Sequence, residues 1–351
     1  MANSDNRIGI IGGGAIGGFY GMMLARAGFD VHFLLRSEYP TVAAKGFLMH
    51  SNVYGNVRLD NVQAYADVRD MPPCDWLLLG TKATGNADIA PVIARAAAPA
   101  AKVLVLQNGL DVEAQLRPLL PASLHLLGCL CYVAVMRKAP GVIEHVALGD
   151  VHLGYHSGPA DGGTTPQSIL EAGAALFQAA GIKAKAVPDL TQARWHKLVY
   201  NVAYNGLTVL LDAGTHALKN NAHSQSLVRD IMLEVVAGAT RSGYPLRVEI
   251  ADEIIALAEN MPDYLPSMYL DYREHRPMEL SAIYEAPLAA VKAAGFSMPK
   301  VEALHQALRF IDARNTRDAH DTHQARTTAH APGALAAGMR ADARAAAGHD
   351  L

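Results

Sequence analysis

The hydrophobic pattern divides the chain into two unlike halves. In the first, short apolar runs alternate with helical spacing: residues 8–11 read as a buried strand, 14–27 as a helix and 31–35 as the next strand, a β-α-β unit of normal size. Residues 76–79 and 103–106 are continuous apolar runs rather than alternating ones, the mark of parallel strands covered on both faces. Strand-like segments follow over residues 128–154 about a turn at Pro140-Gly141, and the Gly-, Pro- and Thr-rich stretch 157–166 predicts a surface loop. A helix over 167–180, stopped by Gly181, and an edge strand over 182–187 complete this half.

Strand signals then nearly cease. Helical spacing occupies residues 194–211, 224–241, 248–260, 279–294 and 300–312, with Gly243 and Gly295 as terminators. The expected fold is therefore α/β, with an N-terminal Rossmann-type dinucleotide-binding domain over residues 1–189 and a second, all-helical domain over 190–312. Residues 313–351, dominated by Ala, Arg, Asp, His and Thr, predict a low-complexity tail, disordered or loosely helical. Its histidines, His320, His323, His330 and His349, read as solvated side chains rather than metal ligands.

Composition narrows the function classes. With 351 residues, 51% of them apolar, the chain can fill two cores, and a net charge of -3 gives no reason to expect nucleic acid or an anionic membrane as partner. No apolar run approaches the roughly 18 residues of a membrane span. Met1 to Arg7 is polar, unlike a secretory leader, so a cytoplasmic enzyme or binding protein is expected. Cys74, Cys129 and Cys131 are too few for a disulfide framework and lack further ligands for a metal, so packing is their expected role and no metal is expected.

Between the first strand and the first helix stand Gly12, Gly14 and Gly17, the G-x-G-x-x-G of dinucleotide folds. The first glycine allows a tight turn, the second an approach of backbone to pyrophosphate, and the third close packing of helix on strand. The helix N-terminus then meets the phosphate charge. The next strand ends Leu34-Leu35-Arg36-Ser37, with a guanidinium where NAD enzymes place an acid, so NADP (NADPH) is the expected cofactor. Lys82, after the strand at 76–79, offers a second positive charge to the same side.

In the helical half, Lys197, Asn201 and Asn205 recur every four residues on one helical face. They could reach a carbonyl and hydroxyls across a cleft, or form a satisfied polar seam between helices; spacing alone leaves both open. Trp195 reads as a packing anchor.

Several motifs together resemble the ketopantoate reductase (2-dehydropantoate 2-reductase) family over residues 8–312. They are Gly12-Gly13-Gly14-Ala15-Ile16-Gly17, Arg36, Thr81-Lys82-Ala83, Gln107-Asn108-Gly109, Arg194-Trp195-His196-Lys197-Leu198 with Asn201 and Asn205, Ser267-Met268, and Arg276-Pro277-Met278-Glu279-Leu280. The resemblance implies hydride transfer from NADPH to the ketone of a 2-oxo acid, with 2-dehydropantoate first among expected substrates. It further implies Lys197 as acid and carbonyl polariser, Glu279 as its assistant, Ser267, Asn201 and Asn205 as ligands of substrate polar groups, and Asn108 as a contact to cofactor and substrate. After Glu279, where the family commonly continues with Asp and an Asn-Gly pair, this chain has Ser281 and Tyr284-Glu285. That departure predicts an altered substrate wall and keeps another 2-oxo acid or small ketone in view. A non-catalytic NADP-binding interaction protein is the alternative from a different class. Oligomeric state stays open, a homodimer among the options.

Overall fold

The alternation of apolar runs and helical spacing produces one mixed sheet and a helical body. A computed structural model describes residues 6–160 and 164–329, with side chains of the last helix as far as Arg317. The strands are β1 (Ile8–Ile11), β2 (Val31–Leu34), β3 (Phe47–Ser51), β4 (Val57–Leu59), β5 (Gln63–Tyr65), β6 (Cys74–Leu79), β7 (Ala97–Val105), β8 (His125–Ala139), β9 (Val142–Ser157) and β10 (Ala184–Ala186). The helices of the first half are α1 (Ala15–Arg26), α2 (Tyr39–Lys45), α3 (Asn86–Ala96), α4 (Val112–Leu116) and α5 (Pro166–Ala179). Those of the second half are α6 (Leu190–Leu210), α7 (Thr215–Lys219), α8 (Ala222–Arg241), α9 (Ile250–Glu259), α10 (Ser267–Arg273), α11 (Ala286–Ala293) and α12 (Pro299–Ala329), with a π-helical turn over Ser281–Glu285.

The sheet runs β4-β3-β9-β8-β7-β6-β1-β2-β5, with β10 added to β9. From β5 to β8 every neighbouring pair is parallel, and β5-β2-β1-β6-β7-β8 is the strand order of the Rossmann fold. Beyond β8 the sheet becomes mixed, because β8 and β9 form a long antiparallel hairpin through Gly141 at φ 72. Helix α1 touches β1, β2, β3, β8 and β9, so the sheet curls around it. Phe19, Tyr20 and Met22 from α1 are wholly buried there against Phe33, Phe47 and Ile143. At about 1.5–3 kcal/mol for each such side chain, this contact is a main support of the curl.

A second core surrounds α6, where Trp195, Leu198 and Val202 meet Ile231, Met232 and Val235 of α8 and Val301, Leu304 and Leu308 of α12. The Asp189 side chain caps α6 by accepting from the Gln192 N–H at 2.9 Å. Cys74, Cys129 and Cys131 are free and buried. No helix among the described residues is long and apolar enough to cross a membrane.

The structure departs from the sequence pattern in three places. β3, β4 and β5 are too short and too mixed to read as strands, and owe their form to distant partners: Met49 pairs with Ile143, and Phe33 with Ala64. The helix expected over 279–294 opens instead with the π turn and regains α-helical form only at Ala286. The tail expected from residue 313 begins within α12, where buried Asn315 donates to the Tyr272 carbonyl at 2.8 Å. Expectations for residues 330–351, His330 and His349 among them, and for the middle of the loop at 161–163 lie outside the described residues.

Candidate active site

Parallel register sets four strand ends side by side. Ile11 of β1 pairs with Leu34 of β2 and Leu79 of β6, and Leu79 pairs in turn with Val105 of β7. The loops that follow carry Arg36, the glycine run, Thr81-Lys82 and Gln107-Asn108-Gly109. In open α/β sheets ligands bind at this carboxyl edge.

The glycine run forms a cradle. Gly12 leaves β1 at φ 93, and a Cβ at Gly17 would overlap the Gly12 carbonyl oxygen, so α1 can lie this close to the strand end only with glycine at both places. Gly14 is the N-cap, and the space where its side chain would stand is open. Gly13 is pressed against Leu35 and Phe47. Among the described residues no side chain caps α1, so the first-turn N–H groups at Ala15, Ile16 and Gly17 are left for an anion. Beside them the Thr81 hydroxyl is buried and has no partner among the described residues. A dinucleotide's pyrophosphate suits this donor set.

Two charges beyond β2 separate the cofactor types. Glu38, 5% exposed, has its charge paired with Arg137 at 2.6 Å. Burial raises its carboxyl above the ordinary range, and the Arg137 contact works against that rise. Arg36 is exposed and in no ion pair among the described residues. The open charge is thus positive, as a 2'-phosphate requires.

Against β8, β9 and the loop after β7, α6 presents Arg194, Lys197, Asn201 and Asn205 along one face. Lys197 Nζ donates to Asn108 Oδ1 at 2.8 Å and stands 5.6 Å from the centre of the Tyr132 ring. Burial brings its ammonium down from 10.5 to about 8, and the Arg194 charge adds to the effect while Glu279 opposes it. Glu279 is itself buried and accepts from the Ala83 N–H at 3.4 Å. Burial pushes its carboxyl up, and the Lys82 ammonium resists this most. Asn201 shares a narrow crevice with Lys197, Gly109 and Leu130, and Asn205 is buried one turn further along α6.

Other candidates sit differently. Lys82 is in an ion pair with buried Asp271 of α10, which also holds Arg276 at 3.0 Å. It therefore ties the loop after β6 to the helical half instead of standing free beside the cradle. Ser267 opens α10, is exposed and makes no side-chain hydrogen bond among the described residues; nothing brings it to Lys197. The substrate wall expected at Tyr284-Glu285 is not formed by them. The π turn directs Tyr284 into the helical core, where it is fully buried, donates to the Val202 carbonyl at 2.8 Å and stacks on His305, and Glu285 faces His305 at 3.4 Å. A larger cavity of about 300 Å³, lined by Trp76, Lys102 and Leu176 among others, brings none of the candidate residues together.

Sequence reasoning missed Tyr132, Asp271 and the Arg194–Glu113 pair. Arg194 was in view as a neighbour of Lys197, but its partner lies 81 residues away and only the fold shows it.

A dinucleotide cradle at the carboxyl edge of a Rossmann-ordered sheet, with a desolvated ammonium at the loop after β7, suits an oxidoreductase dependent on a nicotinamide dinucleotide. Models of ketopantoate reductase PanE/ApbA and of its C-terminal region match residues 8–158 and 189–312, and the chain belongs to the ketopantoate reductase family. The family reaction is the NADPH-dependent reduction of 2-dehydropantoate to pantoate, a step of pantothenate biosynthesis. The chain is 37% identical to the 2-dehydropantoate 2-reductase of Nostoc sp. over 313 residues, covering 89% of this chain and 97% of that protein. The crystal structure of 2-dehydropantoate 2-reductase from Geobacter metallireducens superposes with a TM-score of 0.80 at 36% identity, covering 86% of this chain and 99% of that one. A dimeric ketopantoate reductase from Staphylococcus aureus, 19% identical with a TM-score of 0.70 over 88% of this chain and 99% of its own, shares the fold.

Proposed function

We propose that the chain reduces the ketone of 2-dehydropantoate with NADPH, and that Lys197 is the proton donor. The observation that carries the assignment is the hydrogen bond from Lys197 Nζ to Asn108 Oδ1, which holds the ammonium at the end of β7, two strands from the end of β1 that carries the cradle. When bound, NADPH supplies the hydride. As the ketone carbon accepts it, the carbonyl π pair moves onto oxygen, and the ammonium stabilises that growing charge in a site where burial makes it count. Lys197 Nζ then gives its proton to the alkoxide, and the neutral amine regains one from water. With its ionisation at about 8, Lys197 is charged at pH 7 yet gives up the proton more readily than a solvated lysine.

In this reading Gly12, Gly13, Gly14, Ala15, Ile16, Gly17 and Arg36 hold the cofactor, Lys82 reaches it only by leaving its ion pair with Asp271, and Asn108 faces both ligands. Asn201 and Asn205 take polar groups of the substrate, Ser267 would join them only if α10 moved toward Lys197, and Glu279 supports Lys197. Residues 1–189 act as the cofactor unit and 190–312 as the catalytic one, supported by the break between β10, ending at Ala186, and α6, starting at Leu190. The dimeric relative supports a homodimer, and three free, buried cysteines accord with a reducing cytoplasm.

The test is steady-state oxidation of NADPH, with NADH in parallel, against a panel of 2-oxo acids. The highest kcat/KM with 2-dehydropantoate and NADPH is expected. Turnover confined to another ketone would reject the substrate, and no turnover with any of them would reject the reductase.

A further inference from the structure

Arg194 lies one turn before Lys197 and is 3% exposed. Its Nε donates to Glu113 Oε2 at 2.8 Å and to Oε1 at 3.1 Å, and its Nη2 also meets Oε1. Its Nη1 donates to two backbone carbonyls, Gln107 O at 2.9 Å and Gly109 O at 3.0 Å. Those carbonyls flank Asn108, the residue that accepts from Lys197.

The same short loop is pinned from its other sides. Leu110 N–H donates to the Ala282 carbonyl in the π turn at 2.8 Å. The Gln107 and Asn86 side chains exchange hydrogen bonds of 2.7 and 3.2 Å. Gly109 is at φ 104, and a side chain there would overlap Ala282. Between these pinned neighbours, Asn108 turns its Oδ1 to Lys197, whose side chain lines the crevice together with Gly109.

A buried ion pair is a poor device for stability alone, since apolar side chains of similar volume often serve as well. They could not, however, donate to two carbonyls at once. We propose that Arg194, oriented by Glu113, is a positioning residue for the reduction: it fixes the backbone on both sides of Asn108 and so aims Asn108 Oδ1 at Lys197. The inference rests on Lys197 being the proton donor.

Arg194→Lys keeps the charge but cannot span both carbonyls and Glu113 with a single ammonium. Its kcat is expected to fall about 10- to 100-fold, as misplacement of a catalytic group does, with the NADPH Kd held within about twofold. In an Asn108→Ala background the same substitution should cause no further loss beyond about twofold, because Arg194 acts through Asn108. A second reading needs no turnover: NMR titration of 13C-labelled lysine ε-carbons in the ligand-free chain, with the Lys197 signal identified by its loss in Lys197→Met. The groups acting on Lys197 are Arg194 on its own helix, Cys129 and Cys131 on β8, His152 on β9 and Glu279 before the π turn. Arg194→Lys leaves all these charges in place, so the lost Asn108 contact should move Lys197 below its wild-type value. Losses that multiply in the Asn108→Ala background, or an unmoved Lys197 titration, would overturn the proposal. If Arg194→Lys does not fold, the neutral pair Glu113→Gln with Arg194→Gln is judged by the same cycle. Absence of turnover in the wild type would instead sink the functional reading, and the NMR result would still decide whether Arg194 aims Asn108.

Discussion

Replacing Lys197 with methionine should abolish most turnover and strengthen the fold. Burial moves the ammonium from 10.5 to about 8, and at 1.36 kcal/mol per unit the folded chain carries a penalty of about 3 kcal/mol whenever Lys197 is charged in both states. Methionine fills nearly the same volume without a charge. It also leaves Asn108 without its donor, a loss of about 1–2 kcal/mol for a half-buried amide. The net gain at pH 7 is about 1–2 kcal/mol, or a rise in Tm of about 1–3 °C for a chain of 351 residues. Because the unfolded lysine keeps its proton up to 10.5, the wild-type penalty is complete below about 8 and disappears above 10.5. The stability gap between variant and wild type should therefore narrow as pH rises through that window. Thermal unfolding at pH 7 and pH 9.5 measures the gap, and NADPH oxidation should show a loss of about 10²- to 10⁴-fold in kcat. A lower Tm for Lys197→Met at pH 7, or a gap that fails to narrow with pH, would refute the claim that the fold holds this ammonium under strain.

Three other outcomes follow from the same geometry. The kcat/KM for ketone reduction should be flat below about pH 8 and fall above it, as Lys197 loses the proton it donates; a pH profile of kcat/KM checks this. Arg36→Ala should weaken NADPH binding about 10- to 100-fold, the worth of a charge-assisted contact to phosphate, and leave NADH binding nearly unchanged in fluorescence titrations. Tyr284→Phe should cost about 1 kcal/mol of stability through the lost bond to the Val202 carbonyl, while KM for the 2-oxo acid stays the same; a raised KM would return Tyr284 to the substrate wall.

Legibility in the sequence followed the range of the forces involved. The cradle could be read because each glycine answers a demand made by its near neighbours, and the order of β1, β2, β6 and β7 because strands covered on both faces become apolar runs. Lys197 and Asn201 stood out by helical spacing. Ion-pair partners did not: Lys82 looks free until α10 brings Asp271 to it, and Arg194 looks incidental until α4 supplies Glu113. Tyr284 reads as part of an altered substrate wall, but its direction depends on a π turn that no local pattern announces. β3 was invisible for the opposite reason, since its five residues gain strand form only from β9.

The contact between Lys197 and Asn108 joins residues 89 positions apart. A chain whose sheet has formed while α6 is still undocked would possess the cradle without the acid. In the proposed reaction, turnover therefore reports that α6 is seated against the loop after β7, which makes reducing activity a readout of the closed assembly of the two halves.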